Sequence, residues 1–170
     1  AISPMNPYRY QIIAEIMMQI ALYDQAVVLL KAAEERELLF RDLLDKLALA
    51  LVHTGKKEDA LTYLAKLLQL DPNSISHMNN SAICYKAMGE FNRAIAMYRR
   101  AMEIEPGNIS IRFNLALALL NKGKKDEAIV ELSRVLDINP KHERAKARHL
   151  QLTDPEKYRA YLAESKKPSE

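Results

Sequence analysis

Arg144 and Arg148 stand four residues apart, so any helix carrying both presents them on one face. Paired guanidinium groups suit a carboxylate, because each can bond both of its oxygens at once. A second polar set recurs along the chain: Lys46, Asn80, Asn114 and Arg148 follow one another at 34-residue intervals. An asparagine amide both donates and accepts hydrogen bonds, so it can hold a peptide backbone without reading its side chains. Asn79, beside Asn80, widens that surface. Asparagine is a poor helix former, and its return at one helical position asks for a reason beyond structure. The chemistry on offer is recognition.

Groups able to make or break bonds are sparse. His53, His77, His142 and His149 show no HExxH spacing and no Cys/His set that would assemble a zinc site. No glycine-rich phosphate loop and no G-x-S-x-G elbow occurs. The single cysteine, Cys84, rules out an internal disulfide, and its place in an apolar run beside Tyr85 reads as a buried, inert thiol. The pairs Glu34-Glu35 and Asp126-Glu127 read as helix surfaces or helix starts. The expectation is a protein that is not an enzyme and holds no metal or cofactor.

Composition narrows the class further. Hydrophobic residues make up 49% of the chain and charged residues 28%, as in an ordinary folded protein. A net charge of +3 is too small to imply a nucleic-acid partner. The densest basic run, from Lys141 to His149, is diluted by Glu143 and lacks aromatics, so it reads as a solvated face. No apolar run approaches the roughly 20 residues that membrane insertion requires. The compartment stays open, with the cytoplasm favoured. The segments 2–7 and 166–170 read as linkers, compatible with a piece of a longer, multidomain chain.

What positions these residues is a repeat. Gly55, Gly89 and Gly123 are spaced by 34, as are Pro72, Pro106 and Pro140. Ala48, Ala82 and Ala116 share the interval, which extends back to Ala14; Ala60, Ala94 and Ala128 extend back to Ala26. Small alanines suit close helix crossings, glycines suit a left-handed helix end, and prolines stop the following helix. Large apolar residues recur between these marks at helical spacing, as in Leu44, Leu47 and Leu51. Each unit is therefore helix, turn, helix, turn. One such hairpin cannot bury its apolar face alone, whereas stacked neighbours can.

This pattern resembles the tetratricopeptide repeat. Residues 75–108 match it best, through Met78, Ser81, Ala82, Tyr85, Ala94, Tyr98, Ala101 and Pro106. Residues 41–74 and 109–142 follow, although Arg112 replaces the usual aromatic. Residues 7–40 read as a degenerate first repeat, with Ala21 in the glycine position and Leu38 in that of the proline. Residues 143–165 read as capping helices, near 143–152 and 155–165, with Thr153-Asp154-Pro155-Glu156 as a start signal. The whole is expected to be one array ending in the tail 166–170.

The resemblance implies an all-α, right-handed solenoid of antiparallel helix hairpins. It further implies that successive first helices line a concave groove for a peptide or helix of another protein. Groove candidates are Lys46, Asn79, Asn80, Asn114, Arg144 and Arg148, with Ser76, Ser110, Phe113, Lys86, Asn121 and His53. Leu49, Ile83 and Leu117 form an apolar column that either packs against the adjacent second helices or, if partly exposed, floors the groove. Arg144, Arg148 and Asn114 resemble part of the family's carboxylate clamp, while Asn79 and Ile83 depart from it. The alternative is a structural module of a larger assembly, a signalling protein or a secretion or pilus protein. It would associate with copies of itself through Ile12, Ile13, Ile16, Met17 and Met18.

Overall fold

The computed structural model describes residues 6–36 and 41–165, and within them every regular element is a helix. Residues 2–5 and 166–170 of the linker segments and the turn around Leu38 lie outside the described residues, whereas Asn6 and Pro7, read as linker, are the cap and first residue of a helix. The chain divides into two compact units, Ala1–Glu90 and Phe91–Glu170. That division falls between two helices that the periodicity assigns to one hairpin.

The first unit holds α1 (Pro7–Gln19), α2 (Tyr23–Glu34), α3 (Arg41–His53), α4 (Lys57–Leu70) and α5 (Ile75–Ala87). The second holds α6 (Phe91–Ile104), α7 (Ile109–Asn121), α8 (Lys125–Ile138), α9 (Glu143–Thr153) and α10 (Pro155–Ser165). The odd-numbered helices α1, α5, α7 and α9 start on side-chain caps. Asn6 accepts from the Tyr8 N–H, Ser74 from His77 and Asn108 from Ile111, and His142 Nδ1 accepts from the Ala145 N–H. Asp154 caps α10 by accepting from the Lys157 N–H at 3.0 Å.

Even-numbered helices inside the repeats start differently. The N–H groups of Leu22, Lys56, Glu90 and Lys124 bond back to the carbonyls of Met17, Leu51, Tyr85 and Leu119, at 2.7 to 3.0 Å. These are the long bonds of a Schellman turn, which requires a left-handed residue just before the new helix. Gly55, Gly89 and Gly123 supply it with φ of 73°, 78° and 81°. Ala21 takes the same conformation at φ 59°, despite its Cβ. The turn geometry therefore outlives the loss of its glycine, at a strain of about 1–2 kcal/mol.

Both alanine columns are buried, none of the eight residues exceeding 1% exposure. In the first unit, consecutive helices pack in order, and the first helices α1, α3 and α5 also touch in sequence. Leu30, Leu43, Leu47, Leu51, Leu64 and Leu67 fill the space between. In the second unit, α6 packs on α7, α7 on α8, α8 on α9 and α9 on α10. One of its clusters joins Phe113, Ala116, Leu132, Val135 and Ala145.

Arg112, where the repeat usually places an aromatic, is buried on α7. Its guanidinium bonds Glu131 Oε2 at 2.6 Å and the Pro106 carbonyl at 2.5 Å. The missing ring has been replaced by a buried ion pair joining α7 to α8.

Candidate functional site

The odd helices of the second unit place both arginines in one hollow of about 300 Å³ between α7 and α9, which Tyr158 of α10 also lines. Arg144 and Arg148 are exposed or half-exposed along its rim, and Leu117 is half-buried. The Arg144 guanidinium lies 5.1 Å from the centre of the Phe113 ring, and the His142 ring lies 5.0 Å from it. Phe113, itself buried, thus shapes the wall and steadies Arg144 by cation–π attraction, instead of offering an open face. Arg148 donates to Gln151 Oε1 at 2.8 Å, which orients its charge along the same rim. Two oriented cations beside an apolar wall can receive a carboxylate attached to an apolar residue.

A second hollow, of about 440 Å³, lies between α1 and α3 of the first unit. Lys46 and Leu49 line it, joined by Glu15, Met18, Gln19, Tyr23, Asp45 and His53. Lys46 is committed to Glu15 at 2.7 Å. Asp45 meets His77 Nε2, on α5, at 2.5 Å. The Tyr23 and His53 rings stack at 4.2 Å with 8° between their planes. In sequence this is the same repeat position as the α7–α9 hollow, three repeat lengths earlier.

The remaining candidates are dispersed over α5 and α7. Asn79, Lys86 and Asn114 are half-buried and none of them is free. Asn80 is half-buried as well, and Ile83 likewise. Ser110 and Asn121 are exposed. Ser76 is exposed and shares a hydrogen bond with the Ser74 hydroxyl, 3.1 Å away, at the start of α5. None of the three asparagines Asn79, Asn80 and Asn114 lines either hollow.

Sequence reasoning missed Glu15, Gln19, Asp45 and Gln151. A step of one period reaches all four, since Glu15 and Gln151 continue the Leu49–Leu117 column and Gln19 precedes His53. Asp45 lies one period before Asn79. Tyr23 and Tyr158 carry no periodic signal. Cys84 is buried on α5, and burial, followed by the neighbouring Glu58, pushes its thiol up to about 11. Such a group is not a nucleophile near neutral pH. Among the described residues no cluster of three or more His, Cys, Asp or Glu could hold a metal ion. Nor is any described helix long and apolar enough to cross a membrane.

Two tetratricopeptide repeat profiles match the chain, one over residues 85–151 and the other over 42–74, together more than half its length. The chain belongs to the tetratricopeptide repeat family, a family of protein-interaction scaffolds. No protein of curated function matches the sequence. Solved structures agree on the fold, an all-α helical repeat of the solenoid class. MamA (residues 41 to the end) from Desulfovibrio magneticus RS-1 is 17% identical, with a TM-score of 0.78 over 93% of this chain and 89% of that one. TTC0263, a thermophilic TPR protein of Thermus thermophilus, is 22% identical, with a TM-score of 0.69 over 88% and 82%. YrrB, described as a TPR protein with an unusual peptide-binding site, is 22% identical, with a TM-score of 0.75 over 82% and 72%.

Proposed function

We propose that this chain docks a peptide or helix of another protein against the faces of its odd-numbered helices, with Arg144 and Arg148 gripping a carboxylate of the guest. The observation that carries this reading is the α7–α9 hollow, where both guanidinium groups, Leu117 and the Phe113-supported wall converge. The peptide-binding site recorded for YrrB supports it by analogy of fold. The chain would act without catalysis, as a scaffold. Its repeats would divide as 7–40, 41–74, 75–108 and 109–142, with α9 and α10 capping the array.

Fluorescence anisotropy with labelled peptides ending in an acidic residue tests the reading. Replacing Arg144 and Arg148 together with Ala should weaken binding at least about tenfold, the loss of one charge-assisted contact or more. Helical circular dichroism should be unchanged. Equal affinity in the double variant removes the grip. The asparagine column belongs to the same proposal, with Asn80 in the first unit and Asn114 in the second each offered separately as a contact for guest backbone.

A second reading is self-association through α1. Tyr8, Ile12, Ile16 and Ile20 are each more than half exposed and recur every four residues, an uncovered apolar stripe. Ile13, Met17 and Met18, expected in the same patch, are instead half-buried, and both methionines pack against the core. Sedimentation at several concentrations decides it: a monomer throughout ends this reading.

A further inference from the structure

The two hollows occupy equivalent repeat positions but carry opposite chemistry. Between α7 and α9 the rim is set by Arg144 and Arg148; between α1 and α3 it is set by Glu15 and Asp45. Lys46, the cation that lines the α1–α3 hollow, is already spent on Glu15 Oε1. Asp45 spends Oδ1 on His77. These bonds use one oxygen of each carboxylate, Glu15 Oε1 and Asp45 Oδ1. Met18 and Leu49 give the hollow apolar lining, and the stacked rings of Tyr23 and His53 line it as well.

We infer that the α1–α3 hollow is a specificity subsite for an arginine side chain of the docked polypeptide. Arginine alone among side chains satisfies all three surfaces. Its methylene stem can lie along Met18 and Leu49, its guanidinium plane can extend the Tyr23–His53 stack, and its N–H fork can bond the second oxygens of Glu15 and Asp45. A lysine meets the carboxylates as a point charge but stacks poorly. A purely apolar side chain would strip water from two carboxylate oxygens and return no hydrogen bond. An acidic one would meet like charge. This inference rests on the reading of the odd-helix faces as a docking surface, and it adds which residue the first unit selects.

The test is a methyl-detected NMR titration of the whole chain with three capped tripeptides: acetyl-Leu-Arg-Leu-amide, its citrulline isostere, and acetyl-Leu-Glu-Leu-amide. Citrulline keeps the shape of arginine and removes the charge. The arginine peptide should shift the Met18 and Leu49 methyl signals saturably and bind at least about fivefold more tightly than the citrulline peptide. Glu15→Gln and Asp45→Asn, made separately, should each narrow that ratio by weakening arginine binding more than citrulline binding. Because Asp45 also holds His77, the Glu15→Gln variant carries the result should Asp45→Asn disturb α5. Equal affinities for arginine and citrulline overturn the subsite. So do unmoved Met18 and Leu49 signals while the glutamate peptide shifts the Leu117 methyls, and in that case the docking surface itself stands. If no peptide moves either set, both readings fall together.

Discussion

Replacing Arg112 with Met should destabilise the second unit by about 3 kcal/mol, and the structure shows why. The guanidinium is buried, bonded to Glu131 and to the Pro106 carbonyl, and the Glu131 side chain is only 12% exposed. Removing one member of a buried pair costs about 3–5 kcal/mol, because the other charge stays desolvated. Arg134 still reaches Glu131 Oε1 at 2.6 Å, which places the cost at the lower end of that range. Replacing both members with apolar residues of similar volume removes the stranded charge, so Arg112→Met with Glu131→Leu should cost no more than about 1 kcal/mol. Urea unfolding followed by circular dichroism in the far ultraviolet, on both single variants and the double, measures this as a coupling energy. Two results would refute the reasoning: an Arg112→Met cost below about 1 kcal/mol, or a double variant as unstable as the two singles combined.

Other consequences are simpler to check. Ala21→Gly should raise stability by about 0.5–1 kcal/mol, since relief of left-handed strain exceeds the entropy of a freer unfolded chain. Gly89→Ala should lower it by about 1 kcal/mol for the converse reason; thermal melts report both. Native Cys84 should resist thiol reagents at mildly alkaline pH and react only as fast as the chain opens. Its raised native pKa also gives a sign. The neutral thiol's contribution is whole below the unfolded value of 9.0 and is lost as pH climbs towards about 11, so Cys84→Ala should flatten the alkaline decline in stability. Glu127 titrates below its usual range, chiefly through its hydrogen bond with Lys124. Its contribution is therefore present above the ordinary carboxylate pKa and lost in acid, and Glu127→Gln should flatten the acid limb of the same curve.

The periodic part of this protein was legible in its sequence. Glycine, alanine and proline columns mark helix ends and close crossings, and each has a purely local cause, so φ at Gly55, Gly89 and Gly123 and burial at the alanines follow. Ala21 shows that the column matters more than the residue occupying it. Legibility ended where packing joins residues that are not equivalent. The Tyr23–His53 stack and the meeting of Tyr158 and Leu117 in one hollow depend on helix placement that no repeated column encodes. Arg112 read as a missing aromatic, because nothing local announces that Glu131, one helix on, will neutralise it. Phe113 read as a groove residue; it is buried, with the Arg144 guanidinium 5.1 Å from the centre of its ring. The engagement of Asn79 and Asn114 within the chain also escapes a single sequence, since any polar residue on a free face looks available.

The most direct test of the whole account uses a peptide selected for binding from a random library and a methyl NMR map of the chain with it bound. A guest held by the odd helices shifts Leu49 and Ile83 in the first unit or Leu117 and Ala147 in the second. It leaves the exposed Val28 and Val130 of α2 and α8 where they were. Shifts confined to Val28, Val130 and their neighbours would place the guest on the even helices and contradict the account.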